Sequence, residues 1–162
     1  MKKNEKKYKI EKMLILFLLI ILMLNIILLI INLQNRYDTF LVDSYIKNVA
    51  KNNANNNITK NLVKICSKEK EDFNKIYCVV QKTKELKYFK YEKTKKVLEI
   101  DELIRKGGDC KSWAAYYKGI LDTMNFFTNI ISKNNHSFLN VFGENFYCNI
   151  DQKFINCINL ID

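Results

Sequence analysis

The sequence predicts an α+β domain preceded by one transmembrane helix, and three observations support this prediction. Residues 13–31 are apolar except for Asn25. Between residues 58 and 125, apolar side chains recur at helical spacing. From Phe126 onward the segments become short, alternating and rich in β-branched and aromatic residues, which is typical of strands. Helices that come first and an antiparallel sheet that comes last form the α+β pattern.

The apolar stretch is long enough to cross a bilayer as a helix. At about 1.5 Å per residue, residues 13–31 reach roughly 28 Å, close to the thickness of the hydrocarbon core. A cleaved signal peptide is the alternative interpretation. Its apolar region is usually shorter and ends in a small-residue cleavage site, which residues 31–38 do not contain. We therefore expect an uncleaved signal anchor over residues 13–32.

Basic residues flank this span unevenly. The chain carries a net charge of +10, and six lysines lie in residues 1–12, whereas Arg36 alone follows the span closely. The positive-inside rule then predicts a cytoplasmic tail of residues 1–12 and an extracytoplasmic C-terminal domain. The expected location is the cell membrane, with a single pass through the lipid bilayer.

A second basic segment, residues 82–96, interleaves lysines with aromatic side chains. This composition is typical of a patch that binds single-stranded nucleic acid. Glu85 and Glu92 dilute the charge, and a location outside the membrane disfavours such a partner. We interpret the segment as a solvated surface and do not expect nucleic acid as a partner.

The region after the span divides into a short helix, a linker and a folded domain. Residues 37–50 carry a helical stripe, and residues 51–57 (KNNANNN) are polar and of low complexity, which is typical of a linker. Residues 33–57 are thus predicted to be a juxtamembrane helix and an asparagine-rich linker, and residues 58–162 the domain. Its helices are predicted near residues 58–65, 73–80, 97–105 and 110–125.

One cysteine occurs where a helix is predicted to begin. Cys110 follows Gly107, Gly108 and Asp109, so glycines permit a tight entry and Asp109 is a natural N-cap. The positive end of the helix dipole favours a thiolate in the first turn, and the backbone amide there can face a developing oxyanion. A buried cysteine on an apolar helix face would show the same local pattern.

The only histidine of the chain, His136, lies downstream and is followed by Asp151. A hairpin turn with Gly143 at its first central position would be type II′ and would pair residues whose numbers sum to 287. His136 and Asp151 would then lie directly opposite each other on one face of the sheet. Asn149, two residues earlier on that face, is the alternative group to orient the imidazole. A cysteine, a histidine and a carboxylate are the parts of a nucleophile, its general base and the orienting group.

The two motifs resemble those of the transglutaminase-like superfamily of Cys-His-Asp enzymes. In the first, Gly108-Asp109-Cys110 is followed by an aromatic and a small residue, Trp113 and Ala114. The second is a histidine, an aromatic residue two positions on, a glycine-containing turn, an aromatic residue and an aspartate fifteen residues after the histidine. Its members here are His136, Phe138, Gly143, Tyr147 and Asp151.

This resemblance implies a papain-like core in which the nucleophile helix packs on a small antiparallel sheet. It also implies a catalytic triad of Cys110, His136 and Asp151, with Gly108, Asp109, Trp113 and Asn149 shaping the site. The expected activity is that of a cysteine-protease-like hydrolase or acyltransferase acting on an amide bond of a protein or peptide substrate, without a metal or cofactor. The alternative is a membrane-tethered binding module that retains the fold without catalysis.

Four further cysteines remain: Cys66, Cys78, Cys148 and Cys157. A turn at residues 152–153 pairs numbers that sum to 305, which sets Cys148 opposite Cys157. An external location would permit disulfides, and buried thiols are the equal alternative. No CxxC spacing is present, and the only histidine is assigned elsewhere, so a zinc site is not expected.

Overall fold

The computed structural model describes residues 2–86, 96–133 and 136–160, with side chains from residue 12 onward. The chain divides into two compact units, Met1–Phe40 and Leu41–Asp162. The fold is α+β, as predicted, with one long helix, four shorter helices and four strands in the described residues. Most of residues 82–96, the basic segment, lies outside the described residues.

The first helix, α1 (Lys2–Ala54), contains the apolar stretch. Its apolar side chains within the first unit are exposed, and its length and composition suffice to cross a membrane. A signal sequence near an N-terminus has the same properties. The helix is therefore long and apolar enough to span a membrane.

The prediction of a linker at residues 51–57 was wrong, because α1 continues through Ala54. The asparagines that suggested a linker are bound to a distant part of the chain. Asn53 Oδ1 accepts a hydrogen bond from the Ile100 amide at 2.9 Å, and Asn52 Nδ2 donates to Glu99 Oε1 at 3.2 Å. These contacts extend the compact unit to Leu41, ahead of the predicted boundary at residue 58.

Four helices follow close to the predicted positions. They are α2 (Asn57–Cys66), α3 (Asp72–Lys84), α4 (Ile100–Lys106) and α5 (Cys110–Thr123). A disulfide between Cys66 and Cys78 joins α2 to α3. Gly119 lets α5 approach α1 closely, because a Cβ atom there would lie 2.7 Å from the Ala50 carbonyl oxygen.

The strands form one antiparallel sheet in the order β1-β2-β3-β4. They are β1 (Phe127–Lys133), β2 (His136–Phe142), β3 (Phe146–Asp151) and β4 (Phe154–Asn159). Helix α5 packs on β1, β2 and β3, and burial alternates along β2. One face of the sheet therefore meets the helix in the core, and the other face stays partly exposed.

The register between β3 and β4 is the predicted one. Asp151 pairs with Phe154 across the turn at residues 152–153, where Gln152 adopts a positive φ of 52°. Cys148 lies opposite Cys157, and the two form a disulfide. The alternating pattern and the two-residue turn were sufficient to place this pair.

The register between β2 and β3 differs from the prediction by two residues. Phe142 pairs with Tyr147 and Asn140 with Asn149, so paired numbers sum to 289 rather than 287. The Gly143 amide bonds the Phe146 carbonyl at 3.0 Å, and the Phe146 ring occupies the space where a Cβ of Gly143 would be. Gly143 is therefore needed for close approach and has no positive φ. A two-residue shift keeps every side chain on its face.

Candidate active site

The start of α5 is held by a buried carboxylate. Asp109 is the N-cap, and its Oδ1 accepts hydrogen bonds from the Ser112 amide at 3.1 Å and from the Ser112 hydroxyl at 3.0 Å. Its Oδ2 forms an ion pair with Lys111 at 3.1 Å. The Ser112 hydroxyl in turn accepts from the Leu98 amide at 3.0 Å. Cys110 thus occupies the first position of a well-capped helix.

The entry to this helix is shaped by Gly108 and Trp113. A Cβ atom at Gly108 would contact the Leu103 side chain and lie 3.0 Å from Ser112 Cβ, so a larger residue does not fit there. The Trp113 indole is 1% exposed and donates from Nε1 to the Gly108 carbonyl at 3.1 Å. Trp113 therefore supports the backbone turn before Cys110 from inside the core, and it presents no surface to a ligand.

Cys110 is a thiol outside both disulfides and is 3% exposed. Its Sγ accepts a hydrogen bond from the backbone amide of Ser137 at 3.4 Å. A hydrogen bond donated to sulfur stabilises the thiolate relative to the thiol. The structure thus brings Cys110 to the strand residue directly after His136.

His136 and Asp151 are brought together as the sequence suggested, though diagonally across the strands. His136 Nε2 lies 2.9 Å from Asp151 Oδ2, and the two side chains are 43% and 38% exposed. With the register summing to 289, Asp151 is offset by two residues from the position opposite His136. Such diagonal neighbours stay within reach for long side chains, so the two-residue shift preserves the pair.

Asn149, the alternative orienting residue, is engaged elsewhere. Its Nδ2 donates to Asn140 Oδ1 at 3.0 Å, and the Tyr147 hydroxyl donates to the same oxygen at 2.7 Å. The other carboxylate oxygen of Asp151, Oδ1, is buried and has no hydrogen-bond partner among the described residues. Of the two candidates, Asp151 is therefore the one that contacts the imidazole.

The thiol and the imidazole come to the site from opposite faces of β2. Ser137 is buried toward α5 together with Leu139 and Val141, whereas His136 shares the partly exposed face with Phe138. Among the hydrogen bonds of the described residues, none joins Cys110 Sγ to the imidazole. Transfer of the thiol proton to the imidazole requires the two groups within hydrogen-bond reach, about 3 Å.

A hydrogen-bonded chain behind the thiol was missed in the sequence. The Ser132 hydroxyl donates to the Asp43 carboxylate on α1 and lies 2.9 Å from the Ser137 hydroxyl. This chain fixes β1 and β2 to α1 at the point where the Ser137 amide meets Cys110. In HSFLNVF, Ser137 is a polar residue at one of the alternating positions that face the core, and this is a signal that the sequence contains. The residues around Asp43 contain no such signal.

A groove lies beside the N-terminus of α5. It has a volume of about 380 Å³ and is lined by Leu41, Val42, Tyr45, Lys96, Val97 and Lys111. Lys111 directly follows Cys110 in the sequence, and the lining includes none of Cys110, His136 and Asp151. Its lining combines apolar side chains with two lysines.

Comparisons with known proteins leave the family open. No family model, no curated protein and no solved structure matches this chain. The geometry of the residues themselves is therefore the basis for a functional proposal.

Proposed function

We propose that this chain is a membrane-anchored thiol hydrolase or acyltransferase with a transglutaminase-like, papain-like core, acting on an amide bond of a protein or peptide. The observation that carries the proposal is the 2.9 Å hydrogen bond between His136 and Asp151, one residue from the amide that contacts Cys110 Sγ. In this proposal the nucleophile comes from α5, the base from β2 and the orienting carboxylate from β3. The groove lined by Lys111, the residue after Cys110, is the proposed place for a substrate to approach the domain.

In the proposed reaction, Asp151 Oδ2 accepts a hydrogen bond from His136 Nε2–H, and this tautomer places the imidazole lone pair on Nδ1. Nδ1 takes the Cys110 thiol proton as the sulfur forms a bond to the amide carbonyl carbon. The carbon–nitrogen bond then breaks, the leaving amine takes the proton from the imidazolium, and a thioester remains. Water or an acceptor amine releases the acyl group and restores the thiol.

The proposed location is the cell membrane, with the N-terminus in the cytoplasm and the domain outside. The lysines of residues 1–12 support this orientation. The two disulfides, Cys66–Cys78 and Cys148–Cys157, support it independently, because disulfides persist in oxidising compartments. Protease added to intact cells should remove the C-terminal domain, and its full protection on demonstrably accessible cells would reverse the topology.

A non-catalytic binding module is the second candidate, and one observation favours it. Cys110 is 3% exposed, and the side chain of His136 lies on the other face of β2 from the thiol. If the imidazole never turns toward the sulfur, the triad residues would only stabilise the fold.

Alkylation of Cys110 separates these candidates. The full chain in detergent, with its disulfides intact, is treated with iodoacetamide at pH 7, so that the reaction reports Cys110 alone. We expect the native thiol to react faster than in urea, since a base and a helix dipole increase the thiolate fraction. His136→Ala should lower the native rate at least tenfold, and Asp151→Asn should lower it less, because Asp151 acts through the imidazole.

The matched control is Asn156→Ala, which removes an exposed side chain from the same sheet face. It should leave the rate unchanged. A native rate below that in urea, together with insensitivity to His136→Ala, would establish the binding-module alternative instead.

A further inference from the structure

The sheet face turned away from α5 is organised in rows that cross all four strands. We call it the open face. Its middle row consists of one asparagine from each strand: Asn129, Asn140, Asn149 and Asn156. The register pairs each of them with the next, Asn129 with Asn140, Asn140 with Asn149, and Asn149 with Asn156. With strands about 4.8 Å apart, the row is about 14 Å long.

Apolar side chains flank the asparagine row on both sides. The row on one side is Phe127, Phe142, Tyr147 and Ile158. Its ring centroids are 5.5 Å apart for Phe127 and Phe142, and 5.3 Å apart for Phe142 and Tyr147. On the other side lie Ile131, Phe138 and Phe154 together with Asp151.

The edges of this face are exposed to solvent and its middle is partly buried. Phe127 is 71% exposed and Phe154 is 67% exposed, at opposite edges of the sheet, whereas the face residues of β2 and β3 are half-buried. Exposed apolar patches on folded domains mark interaction sites. The open face is therefore a candidate surface for a partner.

The amides at the centre of the row are partly preorganised. Asn140 Oδ1 accepts from both Asn149 Nδ2 and the Tyr147 hydroxyl, which fixes the orientation of these groups. The Asn140 amide nitrogen and the Asn149 carbonyl oxygen have no side-chain partner among the described residues. Each asparagine amide offers both donors and an acceptor, so the row can pair with hydroxyl groups, which do the same.

The charge and polarity of the face exclude several other partners. Among the described residues its charged groups are Asp151, which is paired with His136, Lys133 at one edge, and Lys153, whose Nζ lies 5.6 Å from the centroid of the Phe154 ring. Two lysines at its margins, together with the carboxylate of Asp151, supply less positive charge than a polyanion requires. A purely apolar partner would bury the asparagine amides without hydrogen bonds, and each buried amide left unpaired would weaken binding.

We propose that the open face binds an uncharged carbohydrate chain. The apolar C–H faces of sugar rings pack on the aromatic rows, while ring hydroxyls pair with the asparagine amides between them. The row is long enough for about three sugar units, given the strand spacing. This inference does not depend on the thiol chemistry, because Cys110 lies on the other side of the sheet.

Titration calorimetry on the full chain in detergent, with Cys110→Ser to prevent turnover, tests the proposal. The probes are cellohexaose and the hexamer of N-acetylglucosamine. We expect saturable binding of at least one of them. The double variant Asn129→Ala, Asn156→Ala should weaken it at least tenfold, since these exposed side chains carry no internal hydrogen bonds among the described residues. Phe127→Ala should weaken it as well.

The matched control is Asn159→Ala, which removes an exposed asparagine of β4 that lies outside the row. The affinity of this variant for the sugars should equal that of the Cys110→Ser chain without the Asn159 substitution. Failure of both sugars to bind at millimolar concentration, or unchanged binding by the double variant, would overturn the proposal. So would a dimer in sedimentation that dissociates on Phe127→Ala, because a second copy of the chain would then be the occupant.

Discussion

The N-cap of α5 gives the sharpest stability prediction for this protein. Replacing Asp109 by alanine removes the acceptor of the Ser112 amide and of the Ser112 hydroxyl, both of which are buried. Loss of an N-cap costs about 1 kcal/mol. A buried hydroxyl left without its acceptor costs about 1–3 kcal/mol more. We therefore expect Asp109→Ala to lower the free energy of unfolding by about 3 kcal/mol.

The matched variant is Asp109→Asn, which keeps an oxygen acceptor in place. It loses the ion pair between the buried Asp109 carboxylate and Lys111, whose side chain is 28% exposed and can carry its ammonium into water when the charge of Asp109 is removed. Its cost should stay below about 1 kcal/mol, since asparagine caps helices as well as aspartate does.

The single tryptophan, Trp113, is buried against this turn, so its fluorescence reports unfolding directly. Urea titrations of the full chain in detergent give the midpoints and slopes. A loss under about 1 kcal/mol for alanine, or equal losses for both variants, would refute the argument that the Asp109 acceptor holds the helix start.

Three further predictions address other parts of the domain. Burial raises the pKa of Tyr116 to about 12 and raises that of Tyr117 further, so the folded state keeps protons that the unfolded state releases above about pH 10. The free energy of unfolding, measured by urea titration, should then fall as the pH rises from 10 to 12. The fall should be less steep in Tyr116→Phe, and a free energy of unfolding that does not change with pH would contradict this. Reduction of Cys148–Cys157, or its replacement by two serines, should cost about 2.7 kcal/mol for the short loop it closes, and an unchanged urea midpoint would show that the sheet does not depend on it. Gly143→Ala should lower the free energy of unfolding by about 1–3 kcal/mol, because the added Cβ meets the Phe146 ring. Adding Phe146→Leu should recover most of that loss, and no recovery would show that the ring is not the cause.

Local patterns were sufficient for the elements themselves. The helical stripes predicted α2, α3 and α5 to within a few residues, because an amphipathic helix repeats its apolar face every three to four positions. The β3–β4 register followed from a two-residue turn and alternating side chains, and it placed Cys148 beside Cys157. Asp109 and Cys110 were likewise placed at the helix start by capping rules.

Contacts between distant residues decided what the local patterns could not. Asparagines near the end of α1 looked like a linker until the Ile100 amide and Glu99, some 47 positions away, supplied their partners. The β2–β3 hairpin has the Phe146 ring packed over Gly143, a contact that turn preferences do not contain, and its register differs from the one they predict. The row of four asparagines exists only because three separate registers align it.

The sequence by itself therefore determined the approximate positions of α2 to α5 and of the strands, which residue begins α5 and which side chains share each face of the sheet, but not where α1 ends. Periodicity carries that information, because a side chain's direction depends on its own position in the repeat. The tertiary structure alone decided that Cys110 meets the Ser137 amide, that His136 reaches Asp151 diagonally and that Asp43 supports both strands from α1. Those contacts depend on how separate elements pack against one another, and packing follows from side-chain shapes and hydrogen-bond partners that are far apart in the chain.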